Sequence, residues 1–309
     1  MQQIRLGKSP LLSSQLAYGC WRIAASTDSE ENMQIARKAI FAAIDSGFTL
    51  FDHADIYCNG AAEEVFGRIL RENSSLRSRM LIASKCGIRP RNQPAGAPTR
   101  YDFSKEYIRT QCERSLRALG VEHLDLLQLH RPDYLMEVDE VADVFCELHA
   151  EGKVRSFGVS NFRPSQLSLL QSALSQPLVV HQIEISLLQL GPFEDGSLDQ
   201  CQEKSLTPLA WSPLGGGLLA HGGKDLLPGQ RLYDPARVVG LLDQIALEKG
   251  SLRESVALAW LLKHPAGIIP IVGSTNPGRI RNAAQSVQIR LERAEWYALL
   301  ESARAEPLP

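Results

Sequence analysis

Short β-branched or apolar runs alternate with longer amphipathic segments along the whole chain, and they do so eight times. The strand-like runs are Leu16–Gly19, Phe48–Phe51, Met80–Ser84, Leu124–Leu129, Ser156–Val159, Leu178–Ile183, Thr207–Ala210 and Ile268–Val272. Between them lie helical patterns at Glu31–Ser46, Ala61–Arg71, Ser104–Leu119, Glu137–Glu151, Arg163–Ser172, Leu198–Lys204, and Arg237–Lys249 with Ser251–Lys263; Asn276–Ser286 and Glu292–Ala303 follow the last strand. Strands separated by helices cannot pair as hairpins, so they must form a parallel sheet through crossover connections. Eight such units take about 250 residues when closed into a (β/α)8 TIM barrel. The 309 residues are then one barrel domain, 1–309, with about 60 residues to spare. The spare residues predict an N-terminal β-hairpin (Ile4–Leu6 and Leu11–Ser13), long βα loops at Gly87–Asp102 and Ser212–Pro235, and an extra C-terminal helix.

Composition narrows the partners. The formal net charge is −2, from 33 Lys and Arg against 35 Asp and Glu. With no basic run or aromatic-interleaved stripe, nucleic acid is not expected as a partner. The longest apolar runs, such as Val256–Leu262, fall far short of the roughly 20 residues of a membrane helix. No signal-like segment opens the chain, so a cytoplasmic protein is expected, as a monomer or weak homo-oligomer. Cys20, Cys58, Cys86, Cys112, Cys146 and Cys201 show no C-x-x-C spacing and read as reduced thiols, with neither disulfide nor structural zinc.

A barrel of this type carries its chemistry at the C-terminal strand ends. Those ends read Gly19-Cys20-Trp21-Arg22, Asp52-His53-Ala54-Asp55-Ile56-Tyr57, Lys85, His130-Arg131-Pro132-Asp133, Ser160-Asn161, Gln182 with Glu184, Trp211-Ser212-Pro213, and Gly273-Ser274-Thr275. Taken singly, Asp52 could cap a segment, Lys85 could pair with it, and His130 could be an ordinary hydrogen bonder. Asp52, Tyr57, Lys85 and His130 converging from three neighbouring strand ends read instead as a catalytic set. Arg131, Asp133 and Asp55 read as rim salt bridges, and His53 as a mouth or loop residue.

A phenol is a poor proton donor to a developing alkoxide unless its phenolate is stabilised. A lysine ammonium about 4 Å away, at an effective dielectric of about 20, favours the phenolate by about 4 kcal/mol, which brings Tyr57 toward neutrality. Asp52 keeps Lys85 charged, and His130 can hydrogen-bond the carbonyl oxygen. The set suits proton transfer coupled to carbonyl chemistry. No G-x-G-x-x-G follows a strand, so a Rossmann-type site is not expected. Ser160, Asn161 and Gln182 can hold a carboxamide and Trp211 can stack on a planar ring. The strand-eight end, with Gly273, Ser274 and Arg279, can bind phosphate through backbone N–H groups and a guanidinium. Alternatively, Asn161 caps the next helix and Trp211 belongs to the core.

The ordered motifs Phe51-Asp52-His53-Ala54-Asp55-Ile56-Tyr57, Ala83-Ser84-Lys85, Leu129-His130-Arg131-Pro132, Gly158-Val159-Ser160-Asn161-Phe162, Trp211-Ser212-Pro213-Leu214 and Gly273-Ser274 with Arg279 resemble those of the aldo-keto reductases from about residue 4 to residue 290. The resemblance implies an NADPH-dependent reductase of aldehydes and ketones. It implies Tyr57 as general acid, tuned by Lys85 and Asp52, with His130 orienting the carbonyl. NADP would lie along Gly19, Cys20, Trp21, Ser160, Asn161, Gln182, Trp211, Ser212, Pro213, Leu214, Gly273, Ser274 and Arg279. A small carbonyl substrate would meet Trp21, Tyr18, Tyr57 and His130. Relatives often carry Lys-Ser where this chain has Gly273-Ser274, and Arg281-Asn282 falls one residue short of their usual adenine contact. Two other readings stay open: a nicotinamide-binding redox-sensing or regulatory subunit, with Cys20, Cys58 and Cys86 near the mouth, and a lyase using Lys85 as a Schiff-base nucleophile.

Overall fold

All eight apolar runs become strands of one closed parallel barrel. The computed structural model describes residues 1–24, 30–223 and 226–308, so Lys224 and Asp225 of the long loop expected after strand seven lie outside the described residues. A hairpin of β1 (Gln3–Arg5) and β2 (Leu12–Ser14) precedes the barrel strands. These are β3 (Ala17–Gly19), β4 (Leu50–Asp52), β5 (Leu81–Cys86), β8 (Leu124–Leu129), β9 (Val154–Ser160), β10 (Val180–Glu184), β11 (Thr207–Trp211) and β12 (Ile269–Val272). Each pairs with the next, and Ile271 and Val272 of β12 close the ring against Ala17 and Tyr18 of β3. Two further strands, β6 (Ile88–Arg89) and β7 (Arg100–Tyr101), form a small antiparallel sheet inside the loop read as Gly87–Asp102.

The helices follow the expected order: α1 (Glu30–Asp45), α2 (Ala61–Glu72), α3 (Lys105–Leu119), α4 (Val138–Ala150), α5 (Pro164–Ala173), α6 (Gly191–Glu194), α7 (Ser197–Lys204), α8 (Ala236–Glu248), α9 (Arg253–Leu262), α10 (Pro277–Gln285) and α11 (Arg293–Arg304). Local chemistry sets their ends. Ser104 accepts a hydrogen bond from the Tyr107 amide at the start of α3, and Gly120 ends that helix in the left-handed region at φ 66°, where a Cβ would be costly. The extra helix α11 is fastened by a reciprocal pair. Trp260 and Trp296 stack at 5.0 Å, and each indole N–H donates to the other's carbonyl, at 3.0 and 2.9 Å.

The two-residue period of a strand sorts side chains between barrel interior and helix layer. Ala17, Leu50, Ala83, Leu126, Val180, Leu209, Ile269 and Ile271 form one buried cluster with Leu6 and Leu11 of the hairpin. Tyr18, Phe51, Ile82, Leu127, Val159 and Val272 pack outward against the helices. The hairpin turn is seated on the N-terminal end: Gly7, at φ 52°, donates to Thr207 Oγ1 at 2.8 Å, and a Cβ there would come within 2.6 Å of the Val179 carbonyl. With that end stopped by Leu6 and Leu11, the opposite end is the accessible mouth. The same period places Asp52, Lys85, Gln128 and Gln182 two residues above Leu50, Ala83, Leu126 and Val180, so a polar layer caps the apolar interior there.

Candidate active site

Lys85 is the hub of that polar layer. Its Nζ donates to Asp52 Oδ1 at 2.7 Å, to Asp52 Oδ2 at 2.8 Å and to the His53 carbonyl at 2.7 Å. Asp52 Oδ1 also accepts from Gln182 Nε2 at 2.9 Å. Both charged side chains are almost wholly buried. Burial pulls the Lys85 pKa down, but Asp52 and Tyr57 together outweigh it, and the ammonium ends above its ordinary value. A buried ion pair of this kind costs desolvation and is a poor stability device unless something uses its charge.

Tyr57 uses it. The Lys85 ammonium lies 4.8 Å from the centre of the Tyr57 ring, and the His130 ring meets Tyr57 edge-on at 5.9 Å. The Tyr57 residue is partly accessible at the mouth, but its hydroxyl lies deep. Burial is the larger effect on its acidity and Lys85 the opposing one, so the pKa is pushed up to about 12. The lysine alone would bring Tyr57 toward neutrality, as expected above; desolvation reverses the sign. His130 is held well below its ordinary pKa by burial, then by the charges of Lys85 and Arg131, so it is neutral, and its Nδ1 has no hydrogen-bond partner.

Asn161 takes a left-handed conformation, φ 60°, and it does not cap α5. Its Nδ2 donates to Ser160 Oγ at 2.7 Å and to the His130 carbonyl at 3.2 Å, and its Oδ1 accepts from Trp211 Nε1 at 2.9 Å. Trp211 is half-buried rather than core. Ser160, Asn161 and Trp211 are thus brought together, whereas Gln182 spends one amide hydrogen on Asp52. Of the segment after β11, Pro213 is buried, Leu214 packs between two core clusters, and Ser212 is half-buried. Sequence reasoning missed Gln230. Its Nε2 donates to Ser212 Oγ at 3.0 Å and to Glu184 Oε1 at 2.7 Å, which pins the long loop to the end of β10.

At the end of β12, Asn276 Oδ1 already accepts from the Gly278 and Arg279 amides. Those two backbone N–H groups, at the start of α10, are therefore already taken. Arg279 is exposed. Arg22 is the second residue that sequence reasoning passed over: a Cβ on Gly273 would sit 3.5 Å from its Nη1, so a guanidinium from the β3 end stands beside the end of β12. The only signal in the sequence is the glycine itself.

Several rim expectations differ from what is found. Tyr18 is fully buried against Phe48 and Phe51, with its hydroxyl donating to the Ser274 carbonyl at 3.0 Å. It faces the helix layer because Ala17 takes the interior, so it does not wall the mouth. Trp21, more than a third exposed, does stand beside Tyr57 at 6.3 Å. Gly19 and Cys20 are buried, so the Cys20 thiol does not face the mouth. Burial raises the thiol pKa of both Cys20 and Cys86 far above its ordinary value, which makes them inert. His53 is buried against Phe66 at 4.5 Å. Among the described residues Asp133 makes no rim salt bridge; it accepts from the Phe103 and Leu135 amides at 3.0 and 2.9 Å.

A buried lysine–aspartate pair under a tyrosine and a histidine thus stands at the open end of a closed parallel barrel. The Aldo/keto reductase family model matches residues 15–304, and the chain belongs to that family. It is 41% identical to a 6-dehydroglucose reductase of Novosphingobium aromaticivorans, over 99% of this chain and 96% of that protein. It is also 41% identical to one of Agrobacterium fabrum, over 97% of each. Among solved structures, the thermostable aldo-keto reductase Tm1743 in complex with the inhibitor epalrestat superposes with a TM-score of 0.82 at 24% identity, covering 98% of this chain and all of that one, which speaks to the fold.

Proposed function

We propose that this protein reduces the carbonyl of a small hydroxylated aldehyde or ketone with NADPH, Tyr57 acting as the general acid. The observation that carries the reading is Lys85, held on both oxygens of Asp52 and 4.8 Å from the Tyr57 ring at the open end of the barrel. NADPH, when bound, supplies the hydride. Tyr57 Oη gives its proton to the carbonyl oxygen, and the Lys85 charge stabilises the phenolate left behind. Asp52 keeps that charge in place, and His130, neutral, offers a ring N–H to the same oxygen. Relatives named for 6-dehydroglucose support a sugar-derived carbonyl as the substrate class.

The residues fit a nicotinamide dinucleotide. Trp211 presents a half-buried indole beside Ser160 and Asn161, and Arg22, Ser274 and Arg279 gather two guanidiniums and a hydroxyl at the β12 end. Ser212 to Leu214 would lie along the pyrophosphate, with the loop held by Gln230. The Schiff-base reading is disfavoured by the same pair that supports reduction, because an ammonium kept charged by Asp52 is not a nucleophile.

The test is Tyr57→Phe. NADPH binding, followed by intrinsic tryptophan fluorescence, should be retained, while turnover of aldehydes falls by about 10²–10⁴. Unchanged turnover would remove Tyr57 from the role. A wild-type protein that binds NADPH yet reduces nothing in a broad carbonyl panel would favour the regulatory reading.

A further inference from the structure

A second polar cavity opens on the same rim, on the side of β5, β8 and β9. It has a volume of about 220 Å³ and is lined by Tyr101, Arg131, Pro132, Tyr134, Asn161, Arg163 and Gln166. Each comes from the segment that follows one of three successive barrel strands, Tyr101 from the small β7 strand and Gln166 from the first turn of α5, and the cavity touches the proposed reaction centre through Asn161, which holds the His130 carbonyl at 3.2 Å.

Two guanidiniums face this space, and among the described residues neither has a carboxylate within ion-pair distance. Asp133, the natural candidate for Arg131, spends both oxygens on backbone amides. Glu184, the other acidic group near Arg131, accepts from Gln230 Nε2 at 2.7 Å. Arg131 instead lies over the Trp211 ring at 5.6 Å. Arg163 is exposed at the start of α5, and its backbone N–H is taken up by Gln166 Oε1 at 2.9 Å, which leaves the guanidinium and the Gln166 Nε2 as donors. Arg109, by contrast, is paired with Glu147 and Glu151, both at 2.8 Å. Two guanidiniums without a close ion pair, one of them sharing only the longer-range charge of Glu184, with two phenols and an amide in a concave space beside the proposed reaction centre, suit a planar or tetrahedral oxyanion.

We propose that this cavity binds the anionic tail of the carbonyl substrate, a phosphate ester foremost, and so selects phosphorylated sugar aldehydes over neutral ones. The proposal rests on the reductase reading and names the substrate class of that site. Arg163 anchors the tail and Arg131 bridges it toward the carbonyl held at His130.

Two measurements test it. In steady-state kinetics with NADPH, glyceraldehyde 3-phosphate should show a lower KM than glyceraldehyde. Arg163→Gln should raise the KM for the phosphorylated substrate at least about tenfold, the loss expected of a charge-assisted pair, with kcat little changed and glyceraldehyde unaffected. Arg163→Lys should recover part of the loss, and high salt should weaken only the phosphorylated substrate. Independently of turnover, glycerol 3-phosphate should bind in calorimetric titrations, with and without NADP+, and more weakly to Arg163→Gln. Reduction of both aldehydes with equal KM, or glycerol 3-phosphate binding equally to wild type and variant, would overturn the anion site while leaving the reductase intact. Glycerol 3-phosphate binding lost in the variant, but with no aldehyde reduced by the wild type, would keep the site and overturn the reductase reading.

Discussion

Lys85 Nζ reaches both carboxylate oxygens of Asp52, at 2.7 and 2.8 Å, from the neighbouring strand, and neither side chain meets solvent. The pair matters because burial alone would push the lysine toward its neutral form. Asp52→Asn keeps the shape and removes the charge. The Lys85 pKa should then drop toward the assay range, and carbonyl reduction should fall about 10–100-fold. The decisive readout is the pH profile: the variant should lose activity as pH rises from about 7 to 9, as Lys85 deprotonates, while the wild type does not. A variant with a flat profile and full rate would show that Asp52 does not maintain the charge.

The acidity of Tyr57 gives a directional prediction. With its pKa pushed up to about 12, the phenol stays protonated throughout the working range. Reduction needs the protonated form, so kcat/KM for an aldehyde should be level between about pH 6 and 9. Alcohol oxidation needs the phenolate, whose fraction grows about tenfold for each unit of pH below the pKa, so that direction should accelerate with pH. Initial rates in both directions across that range decide it. A bell with an alkaline limb near neutrality in the reduction direction would mean that Lys85 outweighs burial after all.

What was legible in the sequence follows the physics of each feature. The eight strands were legible because a strand buried on both faces must be a short apolar run, and every one lies within two or three residues of its expected bounds. Asp52, Lys85 and Gln182 were legible as rim groups because each follows such a run with the right parity. The β6–β7 sheet escaped because two residues per strand carry no period. The burial of Tyr18 and the desolvation of Tyr57 were also hidden, since they depend on which side of the wall a side chain faces and on how much protein lies over it. Arg22 stands beside Gly273 from the opposite end of the chain, and Gln230 reaches back to Ser212 and Glu184, and no local pattern announces such contacts.

Asp55, two residues before Tyr57, is buried, and neither of its oxygens has a well-formed hydrogen bond. Burial, then the neighbouring Glu63, raises its pKa to about 8. A carboxyl that is harder to ionise in the folded state favours folding at low pH, and that contribution is lost as pH rises from about 4 toward 8. Asp55→Asn should therefore gain stability relative to wild type across the same window, by up to about 5 kcal/mol at pH 8 and by little near pH 4. Denaturant unfolding at the two ends of the range checks this. A difference between the proteins that is constant with pH would show that Asp55 is not the titrating group.

Arg22 stands where a Cβ on Gly273 would come within 3.5 Å of its Nη1, and the amides of Gly278 and Arg279 are already capped by Asn276. If the proposed NADPH phosphates lie at this strand end, a guanidinium from the β3 loop supplies the cation that the glycine omits. Arg22→Gln should weaken NADPH binding about tenfold, the cost of one charge-assisted contact, with aldehyde turnover at saturating cofactor nearly intact. Gly273 has a backbone conformation and surrounding space that accept a side chain, so Gly273→Lys in the Arg22→Gln background should restore much of the affinity. Fluorescence titration of the wild type, the single variant and the double variant separates the outcomes. Restored binding places the lost charge at the β12 end, whereas an unrescued loss would mean that Arg22 acts through its stacking on Trp21, over whose ring it lies at 4.7 Å.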